Sequence, residues 1–340
     1  MTSESIDDFK VVKQDQLEAV GKKIGNEFYV PMAFLEKGFS LEKVWVEAQN
    51  LLKVNVTKAR SLDINHYDWN GNYLHYDLNK VENWSVSFDQ EGIPKTIYSH
   101  GTYYNPSTIA QYGLEHYSLY LKNKEESNKN KFLKTAEWFM KTQDSRGGWA
   151  YQFDHHYYPE RFPPLKAPWY SAIGLGMAMS VLARASHLSG NKKYKKSALK
   201  ATSIFKIPSR QNGVLAKFEN KYFFYEESPT DPPSYILNGF MFSLIGLYDL
   251  WRATSDNGTR KLYDEGITSL KRMLPLFDLG NRTAYDLTHY TTDGGYPNVA
   301  TWGYHVGHIH LLDALNSIEK DPKMNEALTR WEGYLNGITK

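Results

Sequence analysis

Four times after residue 105 the chain opens a long apolar stretch with helical character and follows it with a polar one, and this alternation restricts the fold more than any other feature. The apolar stretches are NPSTIAQYGLEHYSLYL, APWYSAIGLGMAMSVLARA, PPSYILNGFMFSLIGLYDL and WGYHVGHIHLLDALNSI. Their starts at Pro106, Pro168, Pro233 and Trp302 lie 62, 65 and 69 residues apart, a period long enough for one helical hairpin each. In the first three a proline stands where the first helical position tolerates it, so the helices are expected to begin there. The partners are NKNKFLKTAEWFMKT, NKKYKKSALKATSIFK, TRKLYDEGITSLKRML and PKMNEALTRWEGYL. Helices that are apolar or small around most of their circumference are buried, and helices with one charged face are half-exposed. The pattern therefore predicts a mainly α fold, an α/α barrel (toroid) of about four hairpins, with inner helices circled by outer ones.

The segments that lead into the inner helices are aromatic and rich in turn residues. GGWAYQFDHHYYPERFPPLKAPWY, GVLAKFENKYFFYEESPTDPPSY and RTAYDLTHYTTDGGYPNVATW alternate enough to form β-hairpins at one end of the barrel. Inner-helix N-termini converge at that end, and their unpaired amides and dipoles favour an anion. Upstream, HYDWNGNYLHYDL and WSVSFDQEGIPKTIYS also read as hairpins, the first around an Asn-Gly turn. SLEKVWVEAQNLL reads as a helix. The expected organisation is an N-terminal arm at 1–60, a β-hairpin region at 61–105 packed on the barrel, and the barrel at 106–340.

Aromatic residues make up 15% of the chain, with 25 tyrosines, a surplus that suits stacking on sugar faces as well as it suits an aromatic core. The formal charge of +2 and the lack of a basic tract argue against nucleic acid as a partner. With no cysteine, disulfides, thiolate zinc sites and a cysteine nucleophile are excluded. The N-terminal MTSESIDDFKVVKQ is polar, and no stretch reads as a signal-peptide core or a membrane span, so a soluble, cytoplasmic protein is expected, with secretion left open. Four Asn-x-Ser/Thr sequons, at Asn55, Asn83, Asn257 and Asn281, would matter only in a secreted protein.

At the third inner helix the sequence becomes specific. YEESPTDPPSYILNGFMFSLIGLYDL, from Tyr225 to Leu250, resembles a stretch of the heparan-sulfate glucuronyl C5-epimerases. Further similar segments follow in the same order: IAQYGLEHYS, GGW, PWYSAIGLGMAMSVLARA, MLPLFD, YDLTHY and PNVATWGYHVGHIHLLDAL. They cover most of residues 100–337 and weaken before residue 100. The resemblance implies an α/α barrel, a uronic-acid-containing oligo- or polysaccharide as substrate, conversion of D-glucuronate to L-iduronate, and often a homodimer.

Inverting C5 of a uronate means removing the proton beside a carboxylate and returning one to the opposite face, so acid/base groups are needed on both sides of the ring. Donors around the carboxylate must also quiet the charge that builds up there. No cofactor is required, and no metal is expected at the site. By the resemblance, Glu227 matches the family's glutamate base, Tyr304 its tyrosine acid, and Tyr285 a further active-site tyrosine. A buried glutamate with a raised pKa and a tyrosine with a lowered one would exchange protons with C5. Substrate contacts are expected from Asn238, His305, His308, Tyr225, Glu226, Trp149, Arg282 and His289. His305 and His308 have metal-ligand spacing, yet further ligands are not evident nearby, so hydrogen bonds to substrate or to Tyr304 are expected instead. His155 and His156 lie in a loop at the mouth.

Three positions depart from the family. Ser228 stands where the family has tyrosine, Thr288 where it has arginine, and Gly303 where it usually has aspartate. The lost arginine is a planar fork suited to a carboxylate or sulfate, for which Arg282, Arg146 or Arg161 are candidate substitutes. The run DINHYDWNGN is compatible with an optional structural calcium ion or with simple turns. The same fold also hosts uronate lyases and glycoside hydrolases, the latter needing a second carboxyl such as Asp154, Asp231 or Asp286, and an inactive glycan-binding protein is the non-enzymatic alternative.

Overall fold

The structure, a computed structural model, describes residues 64–339 other than 79, 293 and 294, and before them five strands by their backbone pairing. Strands β1 (Ile6–Lys13), β2 (Gln16–Ile24) and β3 (Glu27–Tyr29) form an antiparallel sheet in that order. Strands β4 (Leu41–Val46) and β5 (Leu51–Val56) pair antiparallel, Leu41 opposite Val56. The segment SLEKVWVEAQNLL, expected as a helix, instead supplies strand β4 and the start of strand β5. The Val-Trp-Val run and the valines at 54 and 56 favour extended backbone once a partner strand is available.

The four hairpins form as expected. The inner helices are α1 (Pro106–Asn123), α3 (Ala172–Ser189), α5 (Leu237–Thr254) and α7 (Trp302–Ile318). Each is followed by its outer partner, α2 (Glu126–Thr142), α4 (Lys192–Ala201), α6 (Asn257–Met273) and α8 (Pro322–Leu335). The inner helices pack as neighbours in chain order, α1 on α3, α3 on α5 and α5 on α7. Every residue of α3 from Ala172 to Ser186 is buried. The tightest approach is between α3 and α5, where a Cβ on Gly176 would stand 2.6 Å from the Ser243 Cα, so only glycine fits.

Only α1 begins on its proline, with Asn105 as N-cap accepting from the Ser107 and Thr108 amides. Pro168 and Pro233 each lie four residues ahead of α3 and α5, whose first residues are Ala172 and Leu237. There the chain is still paired with its neighbours: Trp169 bridges Tyr151, and Ser234 accepts from the Leu287 amide.

Between α7 and α1 the ring is bridged by residues 64–78. Ile64 N–H donates to Asp313 (2.6 Å) and Tyr67 N–H to the Ser317 hydroxyl (2.8 Å) on α7. On α1, the Ser118 hydroxyl accepts from Tyr73 N–H (3.1 Å), and Tyr117 O–H donates to the Asn70 carbonyl (2.6 Å). The hairpin expected here is instead a series of turns ending in the 3-10 helix Tyr76–Leu78, with the Asn-Gly pair closing a turn on the Asp68 carbonyl. This stretch spends its polar groups on two helices rather than on itself. Among the described residues no group of three potential ligands could hold a metal here.

At the opposite end from the helix C-termini, strands β6 (Val86–Phe88), β7 (Pro94–Tyr98) and β8 (Gly101–Tyr103) form a small antiparallel sheet. Strands β9 (Leu215–Phe218) and β10 (Tyr222–Tyr225) form the hairpin expected before α5. The segments before α3 and α7 are held by isolated antiparallel bridges, Tyr151 to Trp169, His155 to Leu165 and Ala284 to Val299. No helix among the described residues is long and apolar enough to cross a membrane.

Candidate active site

Strand β10 delivers the central carboxyl. Beyond Tyr225, Glu226 N–H donates to the Val214 carbonyl and the Glu226 carbonyl accepts from Ala172 N–H at the start of α3 (2.7 and 2.9 Å), and the chain then bends at Glu227. Glu227 is thereby wedged between the N-termini of α3 and α5. Its Oε2 is sealed from solvent without a hydrogen-bond partner. Burial raises its pKa from 4.5 to about 7, with the Gly239 amide at the start of α5 pulling the other way.

Tyr285 is fixed beside the same helix end, because Leu237 N–H donates to the Tyr285 carbonyl (3.0 Å) and Tyr285 N–H to the Asn298 carbonyl (2.6 Å). Tyr304 sits in the first turn of α7, where the Thr301 hydroxyl caps its amide at 3.4 Å. The two rings meet edge to face with centroids 4.7 Å apart, and their side chains hydrogen-bond. Tyr304 is 47% exposed, so it can meet a ligand.

The negative charge of Glu227 raises the pKa of four tyrosines, Tyr151, Tyr157, Tyr285 and Tyr304, each of which is raised first of all by burial. Glu227 thus acts on phenols that stay protonated at neutral pH, two of which, Tyr157 and Tyr285, also feel Asp286. The lowered tyrosine pKa expected from the sequence is not found: the low-dielectric setting that raises the acid raises the phenols too, and no cation offsets it. A small cavity of ≈ 120 Å³ opens on the α1 side of Glu227, lined by Tyr98, Asn105, Tyr151, Trp169 and Ser228 among others. There Tyr151 stacks on Trp169 at 4.3 Å and His155 on Trp169 at 5.5 Å.

The remaining expected contacts divide. Asn238, in the first turn of α5, keeps a buried Oδ1 without a partner, and so does His289 at Nδ1. Asp286 raises the His289 pKa and Arg161 lowers it, with the net direction set by burial, which lowers it.

Five residues lie elsewhere. Tyr225 is fully buried with its hydroxyl on the Leu262 carbonyl (2.7 Å), and Trp149 is buried with its ring nitrogen on the Phe139 carbonyl (2.7 Å). Strand β10 ends at Tyr225 and the chain bends at Glu227, so the two side chains do not share a strand face, and Tyr225 packs on α6. Glu226 takes the Ser234 hydroxyl (2.9 Å) and Tyr235 amide (3.2 Å), and burial lifts its pKa to about 8. Arg282 stacks on Trp302 at 4.4 Å. His305 donates or accepts through Thr283 (3.0 Å) and reaches the Trp331 carbonyl (3.0 Å) of the outer helix, away from Tyr304.

His308 shares Thr283 (2.8 Å) beneath Tyr285, with its Nε2 buried and unpartnered. Burial lowers the two histidines to about 4 and about 3, so both are neutral. Neither hydrogen-bonds Tyr304 in the described contacts.

Of the candidate second carboxyls, Asp154 pairs with Lys166 (2.6 Å) and Asp231 with Arg210 (2.8 Å) at the surface. Asp286 is buried and accepts from Tyr157, Asn298 (2.6 Å), and the Thr288 amide and hydroxyl (2.9 and 2.7 Å). Tyr151, Tyr157 and Trp169 escaped the sequence reading as site residues. Their only signal was the aromatic density of the segment before α3.

At the mouth of the ring of helical hairpins a buried carboxyl and several phenols, groups able to exchange protons, lie close together. A family model described as "D-glucuronyl C5-epimerase C-terminus" matches residues 143–333, and the chain belongs to that family. The D-glucuronyl C5-epimerase of Caenorhabditis elegans is 41% identical over 224 residues, 62% of this chain and 36% of that protein. An uncharacterised protein of Methanocaldococcus jannaschii is 28% identical over 170 residues, 49% of this chain and 50% of that one. The chain thus spans a third to a half of the length of these relatives. Among solved structures, D-mannose isomerase aligns over 80% of this chain and 70% of its own at 12% identity and a TM-score of 0.48.

Proposed function

We propose that the chain inverts C5 of a D-glucuronate residue within a glycan, giving L-iduronate. The observation that carries this reading is the sealed Glu227 carboxyl, its Oε2 without a partner, whose charge reaches four protonated phenols. With a pKa of about 7, Glu227 is ionised often enough at neutral pH to accept a proton and basic enough to hold it.

In the forward step the Glu227 carboxylate takes the C5 proton, and the electron pair of the broken C–H bond moves into the sugar carboxylate as an enediolate. The Tyr304 O–H then breaks, its proton forms a new bond to C5 on the other face, and the enediolate electrons return to carbon. Glu227 is left protonated and Tyr304 ionised. The hydrogen bond between Tyr304 and Tyr285 spreads that phenolate charge until proton exchange with water restores both groups. Aromatic faces at Tyr151 and Trp169 suit the neighbouring sugar. Hydrolysis is disfavoured because Asp154, Asp231 and Asp286 are all engaged elsewhere.

Incubation with a glucuronate-containing polymer in heavy water, read by NMR, tests the proposal. Deuterium at C5 in an intact chain is expected. An unsaturated uronate end would mean a lyase, a new reducing end a hydrolase, and binding without either a glycan-binding protein.

A further inference from the structure

The family arginine missing at Thr288 has a counterpart in space. Arg161 lies in the segment between Tyr151 and Trp169, which has no regular secondary structure and is clipped at its base by the His155–Leu165 bridge. Its Nη1 donates to the Thr288 hydroxyl at 2.9 Å. The guanidinium lies over the Tyr158 ring at 4.6 Å, and on another side a Cβ on Gly295 would collide with Nη2. Among the described residues, the oxygens it touches, the Thr288 hydroxyl and the Tyr296 carbonyl, are uncharged.

The same loop reaches the site a second time. Tyr157 donates its hydroxyl to Asp286, and Asp286 in turn accepts from the Thr288 hydroxyl that receives Arg161. Tyr158 turns the chain at a φ of 52°, and Arg161 N–H donates to the Tyr158 carbonyl (2.9 Å), which brings Tyr157 and Arg161 onto the same stretch, 286–288. Arg146 and Arg282, the other candidate substitutes, also stack on aromatic rings, Tyr170 and Trp302, but among the described contacts only Arg161 reaches Thr288. A residue held in left-handed backbone persists only where its surroundings over-determine it. Here those surroundings are the contacts that orient a planar cation three residues beyond Tyr285.

We propose that Arg161 is the residue that binds the uronate carboxylate in this chain, carried to the position of Thr288 by the 152–166 loop, with Tyr157 anchoring that loop to Asp286. The proposal rests on the uronate reading above only for the identity of the anion. A planar fork matches a carboxylate through two parallel hydrogen bonds, which a lysine or an amide cannot reproduce.

The test is a binding titration of the whole chain with a glucuronate-containing oligosaccharide and with its carboxyl-reduced counterpart, in which glucose replaces glucuronate. The wild type is expected to prefer the uronate, and Arg161→Gln to lose that preference through a roughly 10- to 100-fold weaker uronate affinity. Affinity for the reduced glycan should stay unchanged, which a merely misfolded loop would not allow. Arg161→Lys should fall between the two, and the double variant Arg161→Gln/Thr288→Arg should regain the preference. Tyr157→Phe should weaken both glycans alike. Equal uronate affinity in wild type and Arg161→Gln, or a wild type blind to the carboxylate, overturns the proposal. Arg161-dependent binding without C5 deuteration would leave it standing while the epimerase reading falls. C5 deuteration with an unchanged KM in Arg161→Gln would do the reverse.

Discussion

Gly239 at the start of α5 leaves the space that Glu227 fills: a Cβ built there would lie 2.5 Å from the Glu227 Cβ and closer still to its Oε2. The catalytic candidate and the helix end are therefore fitted to each other, and the fit is made of backbone on one side. Gly239→Ala is expected to keep the fold, since alanine favours a helix, while pushing the carboxyl out of place. A displacement of about 1 Å is enough to lower turnover by on the order of 10²-fold. Circular dichroism together with C5 deuterium incorporation checks both halves, and full activity in a well-folded alanine variant would show that the Glu227 position is not critical.

The pKa of Glu227 also sets a pH dependence in two observables. As the proton acceptor it must be ionised, so C5 exchange should rise with pH through about 7. Tyr285 and Tyr304 are both raised above the usual 10, so the falling limb should lie above pH 10.

Stability runs the other way. A carboxyl with a folded pKa above its unfolded value favours the folded state most below about 4.5, and that contribution is lost as pH rises through about 7. Glu227→Gln removes the loss, so the variant should be more stable than wild type at pH 8, by up to ~3 kcal/mol, and little different at pH 4. Thermal denaturation at the two pH values reads this directly, alongside the expected loss of C5 exchange. A variant that is destabilised at pH 8 would contradict the burial and raised pKa assigned to the acid.

The four hairpins could be read from the sequence because α3 and α5 are apolar or small around most of their circumference while α4 and α6 carry charge on one face. That pattern is local. The bridge between α7 and α1 was not legible, since Asn70 and Gly71 have the composition of a hairpin turn and only the polar groups of Ser118, Asp313 and Ser317 decide otherwise. At the site, Glu227, Tyr285 and Tyr304 were named through family motifs, and in the structure Glu227 lies close enough to both tyrosines for its charge to raise their pKa. Tyr225 and Glu226 were not separable from Glu227 by sequence, because neighbouring positions on one strand differ in what they meet only after the hairpin packs. Arg161 could be named as a substitute for the missing arginine, but choosing it over Arg146 and Arg282 needed the loop that brings it to Thr288.

Two tyrosines in this family stretch should respond in opposite ways. Tyr304 is half exposed beside Tyr285, and Tyr304→Phe should reduce C5 exchange by roughly 10²-fold or more with little change in stability. Tyr225 is sealed against α6 with its hydroxyl on the Leu262 carbonyl, so Tyr225→Phe should cost about 1–2 kcal/mol in denaturant unfolding while exchange continues. Loss of exchange in both, at unchanged stability, would place Tyr225 in the site after all.

The far end of the barrel holds a buried ion pair that closes the ring. Arg184 on α3 pairs with Asp249 on α5, both fully buried, and Tyr67 from the bridging segment donates to Asp249 at 3.1 Å and meets Arg184 at 3.0 Å. Asp249 lies ten residues beyond Gly239 on α5, about 15 Å along the axis, so it acts on the fold and not on the chemistry. Asp249→Ala leaves the guanidinium buried and uncompensated, with an expected loss of about 3–5 kcal/mol, whereas Arg184→Met combined with Asp249→Leu should recover much of it. Because Tyr67 is held by the same pair, backbone amides of residues 64–78 should exchange hydrogen faster in Asp249→Ala than those at the Glu227 end of the barrel. Uniform acceleration across the chain would mean that the pair supports global stability only, with no special hold on the segment that joins α7 to α1.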